Sequence, residues 1–200
     1  MRKMSSKKTF EPSLIKNSNI MKQALTFGGI AGGLIILYSF IVYFTFGDFG
    51  KITPEELPTI EALGYLRYVI LIAVIIFAIR VFKKNSESAP SYWALVKQGV
   101  FTALVVAVCV GLMEAVYMAI NPAFFAQYGQ LKLDEMIASN APAEEIAQFK
   151  QDMEDYAFMA SPLVNGVFYF FETAILGSVL SLIVALFFRP SKTNPNLATS

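Results

Sequence analysis

Histidine is absent from these 200 residues, and cysteine occurs once, at Cys109. The first absence removes the commonest metal ligand, the usual general base and the Ser-His and Cys-His nucleophile pairs. The second excludes an intramolecular disulfide and a thiolate metal cage. Charge is scarce as well, at 16% of residues with a net charge of +1. No phosphate-binding glycine loop, nucleophile elbow or cluster of metal ligands appears, so no catalytic motif, cofactor or metal is expected. What the chain has instead is apolar length. Hydrophobic residues make up 56%, with 18 Phe and 9 Tyr, a composition beyond that of ordinary soluble domains.

A bilayer core of about 30 Å is crossed by roughly 20 apolar helical residues, and four runs approach that length. They are residues 24–46, 62–82, 100–120 and 163–188. The second carries Arg67 and Arg80 near its ends, where long side chains can snorkel to the head groups. Lys16 and Lys22 before the first run also suit a signal peptide. That run is longer than a signal core and closes on no small-residue cleavage site, so it reads as a retained span. The sequence therefore predicts an all-α polytopic membrane protein, a bundle of four transmembrane helices.

Orientation follows from the cations, because Lys- and Arg-rich loops stay cytoplasmic. Twelve of the sixteen lie in the N-terminal segment, the loop after span two and the C-terminal tail. The other two loops are acidic, so both termini are expected in the cytoplasm. Residues 1–20 read as a basic, irregular tail drawn to anionic lipid, with nucleic acid the weaker partner, and residues 191–200 as a second tail. Pro90-Ser91 offers a helix start with Ser91 as N-cap, and Trp93 falls where an interfacial anchor would sit. In the long loop before span four, Pro142 opens an amphipathic extracytoplasmic helix over about 142–160. Its first turn holds Glu144 and Glu145, and Ile146, Phe149, Met153, Tyr156 and Ala160 form one apolar stripe.

Small residues mark packing faces. Gly28, Gly29, Gly32 and Gly33 make two overlapping G-x-x-x-G spacings in span one. Ala103, Ala107, Gly111 and Ala115 form a stripe on span three, and Thr173, Gly177, Ser181 and Ala185 one on span four. These favour a compact intramolecular bundle, with a homodimer through span one as the alternative.

Two glutamates inside spans need an explanation, since a carboxylate in hydrocarbon costs several kcal/mol unless paired, protonated or near water. Glu114, Tyr117 and Asn121 share one face of span three; Asn165, Tyr169 and Glu172 share one face of span four. The helices run oppositely, so both faces read Asn, Tyr, Glu from the outside inward, with each glutamate about 10 Å below its asparagine. The six residues are candidates either for a polar pocket that takes a proton or cation, or for an interhelical cluster that fixes helix register.

The segment from Ser91 to Gly99 (SYWALVKQG), the Asn121-Pro122-Ala123-Phe124 exit and the Gly177 to Arg189 stretch, set in this four-span layout, resemble the bacterial domain-of-unknown-function 4199 family across roughly residues 20–190. The resemblance implies a small bacterial inner-membrane protein and carries over no functional residue. The leading functional expectation is a non-enzymatic accessory protein acting through the bilayer, a membrane-protein partner or its own oligomer. The alternative is a small cation- or proton-linked transporter built on Glu114 and Glu172.

Overall fold

The computed structural model describes residues 11–46, 48 and 51–189, with side chains from Ile20 onward. The stretches 1–10 and 191–200, read as tails, lie outside the described residues. Every regular element is helical: α1 (Glu11–Phe46), a 3-10 turn (Pro54–Glu56), α2 (Leu57–Gly64), α3 (Leu66–Lys84), α4 (Tyr92–Ile120), α5 (Phe124–Ala138), α6 (Ala143–Asp155), a 3-10 turn (Ala157–Ala160) and α7 (Pro162–Phe188).

Four stretches are long and apolar enough to cross a bilayer: Ile20–Phe46, Pro54–Lys84, Tyr92–Ile120 and Pro162–Phe188. Each contains one of the four expected runs. The longer bounds have local causes. Ser91 accepts a hydrogen bond from the Ala94 amide, satisfying an orphan donor, so α4 starts eight residues before the expected apolar run. Pro162 occupies the first helical position of α7, where its missing N–H costs nothing. α1 begins at Glu11 with Pro12 in its first turn, so residues 11–20 are helical and not an irregular tail.

α4 is the central helix, packed against α7, α1 and α3. Leu71, Ile75 and Ile79 of α3 recur every fourth residue and meet Leu95, Val106 and Val110 of α4, Ile35 of α1 and Ala185 of α7 in one buried cluster. The opposite faces are apolar too: Leu34, Phe44, Phe77, Leu112, Ile175 and Phe187 are all exposed. A belt of that kind is untenable in water and natural in lipid.

The small-residue stripes interlock as antiparallel helices require. Gly177 faces Ala103, Gly99 faces Ser181, and Gly111 faces the Gly166 carbonyl, where an added Cβ would sit 2.7 Å from the oxygen. The span-one glycines divide. A Cβ at Gly28 would lie 2.6 Å from Val105 Cβ and one at Gly32 2.5 Å from Cys109 Sγ, whereas Gly29 and Gly33 face open space. One of the two spacings is therefore used inside the chain, against α4.

The two acidic connections lie together at one end of the bundle, which we call the cap. Here the structure adds two helices that hydropathy does not reveal, α2 and α5. Leu57 and Ile60 of α2 bury against Leu131 of α5, with Phe46, Ile52, Phe124 and Tyr128 around them. Lys132 on α5 reaches Glu61 Oε1 at 2.9 Å and Glu135 Oε2 at 2.8 Å, and the Tyr128 hydroxyl donates to Glu61 at 2.8 Å. Burial works against the Lys132 charge, but the two carboxylates outweigh it and hold its pKa above the ordinary lysine value. α5 ends with Asn140 in the left-handed region (φ 56°), and the Ala141 amide returns to the Met136 carbonyl at 2.9 Å, a Schellman closure that turns the chain into α6. The expected helix over 142–160 resolves into α6 and the following 3-10 turn, with Glu144 and Glu145 in the first turn and Met153 set against Gly129 of α5.

Because the Lys132 ion pairs are partly exposed, their loss should be modest. Lys132→Met is expected to speed hydrogen exchange of α5 amides by about fivefold or less, the equivalent of roughly 0.2–1 kcal/mol, and to leave the spans unaffected. Unchanged exchange in α5 would show that the apolar contacts alone hold it down.

Candidate functional site

Glu114 on α4 and Glu172 on α7 converge on one side chain that sequence reasoning assigned elsewhere, Arg67 of α3. Its Nη1 lies 3.3 Å from Glu114 Oε1 and its Nη2 3.4 Å from Glu172 Oε2. The same Nη2 donates to the Tyr68 hydroxyl at 2.7 Å, and that hydroxyl donates in turn to Glu172 Oε1. The Tyr43 hydroxyl of α1 donates to Glu114 Oε2 at 3.3 Å. The guanidinium carbon sits 4.7 Å from the ring centres of both Tyr68 and Tyr169, within the range in which an aromatic face attracts a cation.

Arg67 does not snorkel toward the head groups. Its side chain is 21% exposed and points into the bundle. The reason lies in α2. The Tyr65 amide bonds back to the Glu61 and Ala62 carbonyls, so α2 passes into α3 almost without interruption. Residue 67 is therefore well inside the stretch Pro54–Lys84, not at its start.

Of the six candidates, the structure brings Glu114, Glu172 and Tyr169 around Arg67. The others branch away from it. The Tyr117 ring stacks on Tyr43 with centroids 3.6 Å apart and planes 14° from parallel, and its hydroxyl accepts from Asn121 Nδ2 at 3.2 Å. Asn165 donates from Nδ2 to the Met159 carbonyl at 3.4 Å, while its buried Oδ1 has no hydrogen-bond partner among the described residues. The phenols that donate to the two carboxylates are Tyr43 and Tyr68, from helices outside the two matched faces. A signal for Arg67 did exist in the sequence: spans three and four each hold one acid without a counter-ion, and span two holds two arginines, of which Arg67 lies toward the same end as the acids.

Above the charges lies a cavity of about 460 Å³ bounded by α1, α2, α3, α4, α5 and α7. Arg67, Glu114, Tyr68 and Tyr169 form its floor. Tyr38, Tyr43, Tyr65 and Tyr128 stand among its walls, and Phe124 and Phe125 of α5 come over it from the cap. Glu61, tied to Lys132, marks its far end. The Tyr128 phenol is held well above its ordinary pKa by burial and by the Glu61 carboxylate it donates to, so it remains a donor there.

Glu114 in the floor and Glu172, which does not line the cavity, share its one guanidinium, so with both acids ionised the cluster carries one uncompensated negative charge. Charge-assisted N–H to O contacts usually close to about 2.7–2.9 Å, and the two Arg67 contacts are longer than that. The guanidinium is shared between two acids and clamped by neither. Arg67 Nε, like Asn165 Oδ1, is buried with no hydrogen-bond partner among the described residues. Such a site can accept a positive group against Glu114 and a donor against Asn165. Among the described residues no group of three or more His, Cys, Asp or Glu is placed to hold a metal ion.

Residues 26–190, which include nearly all of the four spans, match the family described as protein of unknown function, DUF4199. No curated protein and no solved structure matches the chain.

Proposed function

The chain belongs to the DUF4199 family, and from that premise and the floor of its cavity we propose that it is a non-enzymatic protein of the bacterial inner membrane that binds a small cationic group or a proton. One observation carries the reading: Glu114 and Glu172 share a single guanidinium at the base of an aromatic-walled cavity. With both acids ionised, the lone excess negative charge in a site of low dielectric is stabilised by a cation far more than it would be in water. Tyrosine faces add cation–π attraction for an ammonium group. In this reading the cap and its acidic connections lie outside the cell, and the Lys-rich ends lie in the cytoplasm.

The test is the thermal stability of the purified protein in phosphatidylcholine nanodiscs, titrated with tetramethylammonium chloride against sodium chloride at equal ionic strength. A ligand that binds only the folded state stabilises it by about 2.7 kcal/mol at one hundred times its Kd. Wild type should show a saturable rise in melting temperature with tetramethylammonium. Glu114→Gln should stay folded and lose that rise, because the floor then carries no excess charge. No response from wild type, in a preparation shown to be folded, overturns the cation reading.

A second reading, an accessory subunit, is favoured by the open face of α1. Gly29 and Gly33 have nothing within 4 Å of an added Cβ, and Leu25, Ile30 and Leu37 around them are exposed. That surface suits a further helix, from a partner or a second copy. On this reading the isolated chain shows no cation response, and a partner co-purifies in mild detergent.

A further inference from the structure

Three tyrosines on the wall of the cavity above Arg67 have already committed their hydroxyl hydrogens to the protein. Tyr43 donates to Glu114, Tyr128 to Glu61 and Tyr38 to the Leu63 carbonyl at 2.7 Å. Each keeps oxygen lone pairs, since a hydroxyl has one hydrogen and two acceptor sites. Asn165 is committed in the same way. Its Nδ2 faces the Met159 carbonyl, which can only accept, so the amide has one sensible orientation and Oδ1 is left without a partner among the described residues. The residue is 7% exposed, and an acceptor buried that deeply without a donor costs free energy. Glu114 Oε1 faces Arg67, while Oε2 receives the Tyr43 hydroxyl and has room for a second donor. Arg67 Nε is a buried donor without a partner, but its guanidinium already faces two carboxylates and Tyr68. The lining therefore offers acceptors to a ligand more than donors.

We infer that the cavity takes a protonated primary amine carried on a compact aromatic body, its ammonium between Glu114 and Asn165 and its ring among the aromatic walls. The inference rests on the cation reading of the cavity and adds to it which class of cation. Three features select that class. A volume of about 460 Å³ lies in the range of sites for small organic ligands and exceeds what a bare ion needs. An ammonium that keeps its N–H hydrogens supplies several donors to this acceptor-rich lining, whereas a quaternary ammonium has none and leaves Asn165 Oδ1 unpaired. An aromatic ring matches Tyr38, Phe46, Phe124, Phe125 and Tyr128 on the walls, against which it packs by offset or edge contacts. The way in lies at the junction of α2 and α3, where the lining residues Gly64 and Tyr65 are exposed, Tyr65 by 66%.

The test uses the same nanodisc melting assay at neutral pH with three probes that share one ring: benzylammonium, benzyltrimethylammonium and neutral benzyl alcohol. Wild type should respond to benzylammonium at a concentration at least about tenfold below that for benzyltrimethylammonium, the equivalent of one net hydrogen bond to a charged group. Benzyl alcohol should give no saturable rise. Asn165→Val, first shown to melt cooperatively without ligand, should lose most of the preference for the primary amine, and Glu114→Gln should lose the response to both ions. Equal responses of wild type to the two ions, or a preference for the quaternary one, overturn the amine inference and leave the cation site standing. So does a wild-type preference that folded Asn165→Val keeps in full. If Asn165→Val does not fold, the wild-type comparison decides alone. A rise with benzyl alcohol equal to that with benzylammonium shows that charge plays no part, and it removes the cation reading and this inference together, as does the lack of a response to either ion.

Discussion

Arg67→Leu is expected to be the most damaging single substitution in the bundle. Removing the guanidinium leaves Glu114, whose side chain is only 10% exposed, and Glu172, at 29%, without their shared cation. Breaking a buried ion pair from one side costs about 3–5 kcal/mol, because the partner is left charged in a medium that cannot solvate it. Glu172 is partly screened by its greater exposure, so the Glu114 contact should account for most of the loss. The measurement is unfolding midpoint and monodisperse yield in detergent or nanodiscs. The triple variant Arg67→Leu, Glu114→Gln, Glu172→Gln should recover much of the stability, since a neutral cluster of similar volume removes the unpaired charges. A single Arg67→Leu variant as stable as wild type would show that the two carboxyls do not depend on Arg67.

The second large effect is steric. Gly177→Leu drives a branched side chain into Ala103, and Gly111→Leu drives one into the Gly166 carbonyl and Phe170. Overpacking a closed interface costs about 1–3 kcal/mol and sometimes more, and here it separates α4 from α7, the pair that sets the distance between Glu114 and Glu172. Gly33→Leu is the matched control. Nothing lies within 4 Å of its Cβ position, so the expected change is within about 0.5 kcal/mol. Unfolding midpoints of the three variants check the contrast. A Gly33→Leu loss as large as that of Gly177→Leu would mean that the open face of α1 is covered by another copy.

Both predictions turn on features that the sequence exposes unevenly. The four spans were legible because uncharged length is the dominant signal in a membrane chain. The spacing of Gly28 to Gly33 announced a close approach, but not that Gly28 and Gly32 meet α4 while Gly29 and Gly33 are left open. The convergence of Glu114 and Glu172 was open to inference from their depth. For Arg67 the charge count of the spans offered a signal, but its depth depends on whether residues 57–64 continue the helix, and Pro58 and Glu61 among them suit a loop as well. α5 stayed hidden for a related reason. Its sequence mixes Gly129, Gln127, Gln130, Lys132, Asp134 and Glu135 among the apolar residues, and its buried face is defined only once Leu57, Ile60 and Glu61 are beneath it. Asn140 has the residue type that tolerates a left-handed turn, so the break between α5 and α6 was visible in principle.

The order of the three charged residues along the chain also bears on how the protein is made. Arg67 leaves the ribosome first, Glu114 follows 47 residues later, and Glu172 comes 105 residues after Arg67. The three spans after the first must each enter the bilayer carrying a charge whose insertion at the helix centre costs about 2.5–3.5 kcal/mol. The arginine is first met by one acid when α4 arrives and by the second only when α7, the last helix, docks. A chain that stops before α7 thus holds Arg67 and Glu114 as a neutral pair, and the carboxylate in excess of the cation arrives only when α7 docks.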